Sequence, residues 1–126
     1  MTNKILVVDD EPDFCEALRE FLADKGFSVM EANSCDEALA AYKQERPDVV
    51  LLDMRMPVKD GLATLRELMA IDSKASVIIV TAVHDQEVVK QATAEGATYY
   101  ISKPVDMDHS LDLLTKGGLL GAENPY

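Results

Sequence analysis

Short aliphatic runs alternate with longer amphipathic stretches along this chain. The clearest runs are Ile5-Leu6-Val7-Val8, Val49-Val50-Leu51-Leu52 and Val77-Ile78-Ile79-Val80. Each is only four residues long and apolar on both faces, the pattern of a strand in a parallel sheet covered by helices on either side. Phe27-Ser28-Val29-Met30 alternates weakly and predicts a more peripheral strand, and Ala97-Thr98-Tyr99-Tyr100-Ile101 predicts a fifth.

The stretches between them carry helical periodicity. Pro12 suits a first helical turn, Phe14, Leu18, Phe21 and Leu22 fall on one stripe with Cys15 beside them, and Gly26 stops the helix. Ser34 and Glu37 form a capping box opening a second helix through Leu39 and Tyr42, which Pro47 closes. After a turn at Lys59-Asp60-Gly61, the residues Leu62, Leu65, Leu68 and Met69 mark a third. A fourth, from about His84 to Glu95, has only Val88, Val89 and Ala92 as apolar anchors before Gly96. Burial stabilises by about 25 cal/mol per Å² of apolar surface, so a stripe this thin predicts a weakly held helix. Met107, Leu111 and Leu114 define a fifth, ended by Gly117-Gly118. Residues 1–116 therefore form one domain, and 117–126 read as a tail or the stub of a linker.

Strand and helix alternate five times without an internal repeat. That order predicts an α/β fold, a doubly wound five-stranded parallel sheet with right-handed crossovers. The strand order 2-1-3-4-5 suits it, with a crevice at the switch point between the first and third strands. The length of 126 residues is enough for one such core.

Charge and cysteine content narrow the function. A net charge of −11 argues against this chain gripping nucleic acid or anionic lipid by itself. No apolar run reaches the roughly 18 residues of a membrane span, and the first residues lack signal-peptide form, so a cytoplasmic location is expected. Cys15 and Cys35 match no zinc spacing and lie in or beside apolar stripes, which predicts buried, reduced thiols.

Chemistry enters where the strands end. Asp9 and Asp10 end the first strand, Asp53 the third, Thr81 the fourth and Lys103 the fifth. In a parallel sheet those ends share one edge. Singly, each residue has an ordinary reading: an acid or threonine as a helix cap, a lysine as a solvated cation. Together they bring three carboxylates, a hydroxyl and an ammonium to one crevice. Carboxylates about 4 Å apart repel by roughly 4 kcal/mol at an effective dielectric near 20, so the cluster calls for a hard divalent cation such as Mg2+. Flanked by that cation and an ammonium, Asp53 is set up as a nucleophile toward phosphorus, its product an aspartyl phosphate.

The set Asp9-Asp10, Asp53 with Met56-Pro57 and Asp60-Gly61, Thr81-Ala82 and Lys103-Pro104 resembles the receiver domain of two-component response regulators, a flavodoxin-like fold. The resemblance runs from about Lys4 to Lys116. It implies that Asp53 is the phosphoacceptor, served by a sensor histidine kinase or a histidine phosphotransfer protein. It implies Mg2+ on Asp9, Asp10, Asp53 and the main-chain carbonyl of Arg55, with Lys103 neutralising the phosphoryl group and its bond to Pro104 cis. Thr81 and Tyr100 become the switch pair, and the fourth helix, fifth strand and fifth helix the face that carries the signal. Such a domain modifies itself and is not an enzyme acting on a metabolite. Its implied further partners are an output domain or effector protein, and a second copy in a phosphorylation-dependent dimer.

Two other readings stay open. One is a docking module that works without phosphorylation. The other is a Mg2+-dependent phosphohydrolase, which needs a second carboxylate two residues beyond the nucleophile, where this chain has Arg55. A flavin site lacks its phosphate-cradling glycine loop after the first strand. Tyr99, beside the switch tyrosine, is expected to pack at the sheet edge, the other reading being an exposed aromatic patch. Val83 offers no general base to attacking water, so the aspartyl phosphate is expected to decay slowly. Val83→Glu should shorten its measured lifetime, and an unchanged decay rate would remove this expectation.

Overall fold

A computed structural model describes residues 4–54, 61–81 and 86–102, the side chains of Thr81 and Ser102 set aside. Five strands and four helices alternate: β1 (Lys4–Val8), α1 (Pro12–Asp24), β2 (Ser28–Ala32), α2 (Cys35–Glu45), β3 (Val49–Asp53), α3 (Gly61–Ile71), β4 (Val77–Thr81), α4 (Gln86–Ala94) and β5 (Tyr99–Ser102). The helix expected over Met107–Leu114 lies outside the described residues, as do His84 and the 117–126 tail. All four strand pairings are parallel, and the order is β2-β1-β3-β4-β5, as the sequence pattern predicts.

The aliphatic runs become central strands because both of their faces are needed. Leu6, Val8, Val50, Leu52, Val77 and Ile79 join Ala38, Tyr42, Leu65, Leu68 and Ala92 of α2, α3 and α4 in one core. Ile5, Val7, Val49, Leu51, Ile78 and Val80 face the other way, packing with Cys15, Leu18 and Leu22 of α1. Every residue of β3 is buried. Strand alternation thus feeds two cores from one sheet.

Several boundaries shift for local reasons. The second strand starts at Ser28 rather than Phe27 and runs on to Ala32, because Glu31 and Ala32 continue the ladder opposite Val7 and Val8. Phe27 instead gives its N–H to Leu22, closing α1 behind Gly26, whose φ of +98° favours glycine. Ser34 does cap α2, accepting from the Glu37 N–H at 3.2 Å, while the Glu37 carboxylate reaches one residue further back, to the Asn33 N–H at 2.9 Å. Pro47 disfavours right-handed helical geometry at Arg46, which takes φ +49° and ends the helix. Both cysteines are free and buried, as expected.

At the edge opposite the strand ends, α2 and the segment after α3 are latched together. The Tyr42 hydroxyl donates to Asp72 at 2.9 Å, and the Arg46 guanidinium lies 3.8 Å from the same carboxylate. Burial first, then the Asp72 bond and charge, push the Tyr42 hydroxyl up to about 12, with Arg46 acting in the opposite sense. The Asp72 carboxyl is held below its ordinary value, chiefly by the Lys74 N–H and then by Tyr42.

Gly61 decides how closely α3 approaches the end of β3. A Cβ there would lie 2.5 Å from both the Asp53 carbonyl oxygen and the Met54 Cα, neither of which can yield without moving main chain. The sequence pattern marks this glycine as a turn. It is in fact the first residue of α3, and close packing is the reason for it.

Two outcomes are expected. Tyr42→Phe should cost about 1 kcal/mol at neutral pH, the net worth of one hydrogen bond. A raised folded-state pKa stabilises below the ordinary tyrosine value of 10.0, and that contribution is lost as pH rises through about 12. Chemical denaturation across that window should therefore show the gap between wild type and variant narrowing; parallel curves would refute the assignment. Gly61→Ala should cost about 1–3 kcal/mol, the usual range for overpacking, in the same measurement, and an unchanged midpoint would refute the close approach.

Candidate functional site

Parallel register builds the site. β1 pairs with β3 from Ile5 opposite Val49 to Val8 opposite Leu52, so the next residues along, Asp9 and Asp53, emerge side by side at the carboxyl edge. Asp10 follows at the bend before α1. Each of the three aspartates offers a carboxylate oxygen, and these oxygens lie within 4.8 Å of one another. Asp9 is 1% exposed and Asp53 4% exposed, whereas Asp10 is exposed. The cluster has a buried floor and an open mouth. Carboxylates at that separation repel by roughly 3 kcal/mol per pair at an effective dielectric near 20. A small hard cation among them relieves that repulsion, and a few carboxylates plus water are the ligands Mg2+ takes, so the donor set fits that ion.

The main chain around Asp9 is tied on every side. Its N–H donates to the Ala32 carbonyl at 3.0 Å. Its Oδ1 accepts the Glu11 N–H at 2.9 Å, which turns the carboxylate back over the start of α1. Its carbonyl accepts the Asn33 side-chain amide at 2.9 Å and the Cys15 thiol at 3.4 Å. Neither of these last two partners was foreseen. Asn33 carries no motif of its own, and only the neighbouring positions of β2 and β1 place it beside Asp9. At the other wall, Asp53 pairs with Val80, and the Met54 N–H donates to the Val80 carbonyl at 3.1 Å, extending the ladder past the aspartate.

Thr81, the last residue of β4, pairs with Ser102 of β5 and follows the residue that pairs with Asp53. Its backbone therefore reaches the same edge. Lys103, Pro104, Arg55 and Val83 lie outside the described residues. Tyr100, opposite Ile79 on β5, is 49% exposed. Tyr99 is 43% exposed, so the packing expected for it at the sheet edge is not what is found. Among the described strands β5 is the outermost, and successive residues put these two rings on opposite faces of it. These tyrosines are the exposed large hydrophobic residues among those described.

Similarity to known proteins agrees with this geometry. The family model for the response regulator receiver domain matches residues 5–115. The chain is 35% identical over 117 residues to the chemotaxis protein CheY of Bacillus subtilis, covering 92% of this chain and 98% of that protein. It is also 35% identical over 116 residues to the sporulation initiation phosphotransferase F of the same organism, covering 92% and 94%. Among solved structures, a chain of the CheX–CheY–BeF3–Mg2+ complex from Borrelia burgdorferi matches with a TM-score of 0.86 at 30% identity, over 91% of this chain and 88% of that one. With its parallel 2-1-3-4-5 sheet and an acidic cluster at the strand ends, this chain belongs to the response regulator receiver family and is a receiver domain of two-component signal transduction.

Proposed function

We propose that the domain is switched by phosphorylation of Asp53, in a site where Asp9, Asp10, Asp53 and the main-chain carbonyl of Arg55 hold Mg2+. The observation that supports this most is the gathering of three carboxylates within 4.8 Å at the strand ends of a receiver domain. The donor is a phosphohistidine on a sensor histidine kinase or histidine phosphotransfer protein. A carboxylate oxygen of Asp53 attacks phosphorus and forms the new P–O bond while the P–N bond to the imidazole breaks. The bonding pair stays on the ring nitrogen, and the imidazole, protonated on its other nitrogen, leaves neutral. Bound Mg2+ supplies charge neutralisation for the phosphoryl oxygens. Lys103 pairs its ammonium with one of those oxygens and Thr81 donates its hydroxyl to another.

The added charge beside Thr81 and Lys103 shifts a two-state equilibrium read on the face of α4, β5 and the fifth helix. The thin anchoring of α4 supports this, since Ala92 is its buried residue and Val88 and Val89 are only partly covered. The half-exposed Tyr100 ring is not locked in the core, which suits its pairing with Thr81. The receiver unit spans 1–116, works in the cytoplasm and modifies only itself. Its signal passes to an output domain, an effector protein or a second copy of the chain. Among the described residues no helix is long and apolar enough to cross a membrane, and the charge of −11 is unsuited to direct nucleic-acid binding.

Intact mass spectrometry after incubation with acetyl phosphate tests the proposal. The wild type should gain one phosphoryl group with Mg2+ and none with a chelator, and Asp53→Asn should gain none. Unmodified wild type would favour the phosphorylation-independent docking module, and an equal gain in Asp53→Asn would place the acceptor elsewhere. Steady release of phosphate from small phosphoesters would favour the phosphohydrolase.

A further inference from the structure

The loop that opens α2 reaches the acidic cluster through the Asn33 side chain. The register that pairs Val8 with Ala32 brings Asn33 opposite Asp9. In a parallel ladder the Asp9 carbonyl would next accept a main-chain N–H from the residue after Asn33. That residue is Ser34, where β2 has already ended and the chain turns to cap α2. The Asn33 side-chain amide supplies a donor in that place, 2.9 Å from the Asp9 carbonyl, and the buried Cys15 thiol adds a weaker one at 3.4 Å. Asn33 is itself held, its N–H bonded to the Glu37 carboxylate at 2.9 Å. The peptide so gripped is the one joining Asp9 to Asp10, two of the three carboxylates of the cluster. Holding its carbonyl fixes the ψ of Asp9 and the φ of Asp10, the two torsions that set how the chain leaves Asp9 and in which direction the Asp10 side chain departs.

Resting on the proposed Mg2+ site, we infer that Asn33 is a positioning residue for that site: its amide substitutes for the missing rung between β1 and β2 and fixes the Asp9–Asp10 peptide. Asn33 touches neither phosphate nor cation. It acts by limiting the orientations open to the two carboxylates, so its removal weakens cation binding and leaves the chemical step intact. The hydrogen bond requires a donor. Asn33→Asp keeps the shape of the side chain but turns an ionised carboxylate toward a carbonyl oxygen, and Asn33→Ala removes the contact.

Direct calorimetric titration with Mg2+ tests this on the unphosphorylated domain, alongside phosphorylation by acetyl phosphate at graded Mg2+. Both variants should bind Mg2+ roughly tenfold more weakly than wild type, by analogy with other groups that orient metal ligands. The Mg2+ concentration for half-maximal phosphorylation should rise in proportion, with the rate at saturating Mg2+ unchanged. A lower melting temperature with unchanged Mg2+ affinity would show a purely structural role and overturn the inference. A fall in the saturating rate without a change in affinity would also overturn it. Should Asn33→Ala fail to fold, the isosteric Asn33→Asp carries the same comparison. Wild type that binds no Mg2+ would overturn the underlying site, and this inference with it.

Discussion

Pairing between β1 and β3 is the contact on which everything else in this molecule depends. Their ladder runs through four consecutive apolar pairs, from Ile5 opposite Val49 to Val8 opposite Leu52, and then the apolar residues stop on both strands at once. Burial on two faces holds both strands in the sheet, and the register is pinned where the aliphatic runs end: a slip of one residue would set Asp9 or Asp53 against an apolar partner inside the core. The same register brings Asp9 and Asp53 together. Electrostatics alone would drive three carboxylates apart, so their convergence costs stability that the two cores must offset. A receiver domain carries that cost at the point where its ligand chemistry lies, an instance of strain stored where function needs it.

Much of this could be read in the residues without coordinates, and the reason is specific. Central strands of a parallel sheet are buried on both faces, so they appear as unbroken aliphatic runs with abrupt ends. The residue after each run then falls at the carboxyl edge by topology alone, which made Asp9, Asp10 and Asp53 legible as a group. Peripheral features were less so. β2 is an edge strand with a half-exposed Ser28–Ala32 pattern, and its ends depend on where α1 closes and α2 begins rather than on its own side chains. Tyr99 is a similar case, since on the outermost of the described strands aromatic character does not bring burial. The purpose of Gly61 was hidden because a glycine needed for close approach and one needed for a turn look the same in sequence.

The two halves of the sheet are held with different firmness. Around β1 and β3 the packing is dense: Leu18 and Leu22 press on one face, Leu65 and Leu68 on the other, all nearly inaccessible to solvent. The far side of the sheet ends in β5 with its two exposed tyrosines, flanked by a helix with one fully buried residue. A module of this family needs one rigid region and one that can be redistributed between states. The distribution of apolar residues supplies that asymmetry, since α4 has little to lose by shifting and β3 has a great deal.

How the acidic cluster is held follows from the same logic. Ionised side chains that must meet a cation have few hydrogen-bonding sites to spare for their own support. Part of that support lies on the main chain: the Asp9 peptide groups bonded to Ala32, Asn33 and Cys15, and the end of β3 pressed between the Val80 carbonyl and the helix start at Gly61. Fixing the backbone, together with the Glu11 N–H on one Asp9 oxygen, limits where the charged atoms can point. It also makes the site sensitive to residues that never touch a ligand. Neither Asn33 nor Gly61 bears a charge, yet each sets the position of an aspartate through a peptide group, one by hydrogen bonding and the other by leaving out a side chain.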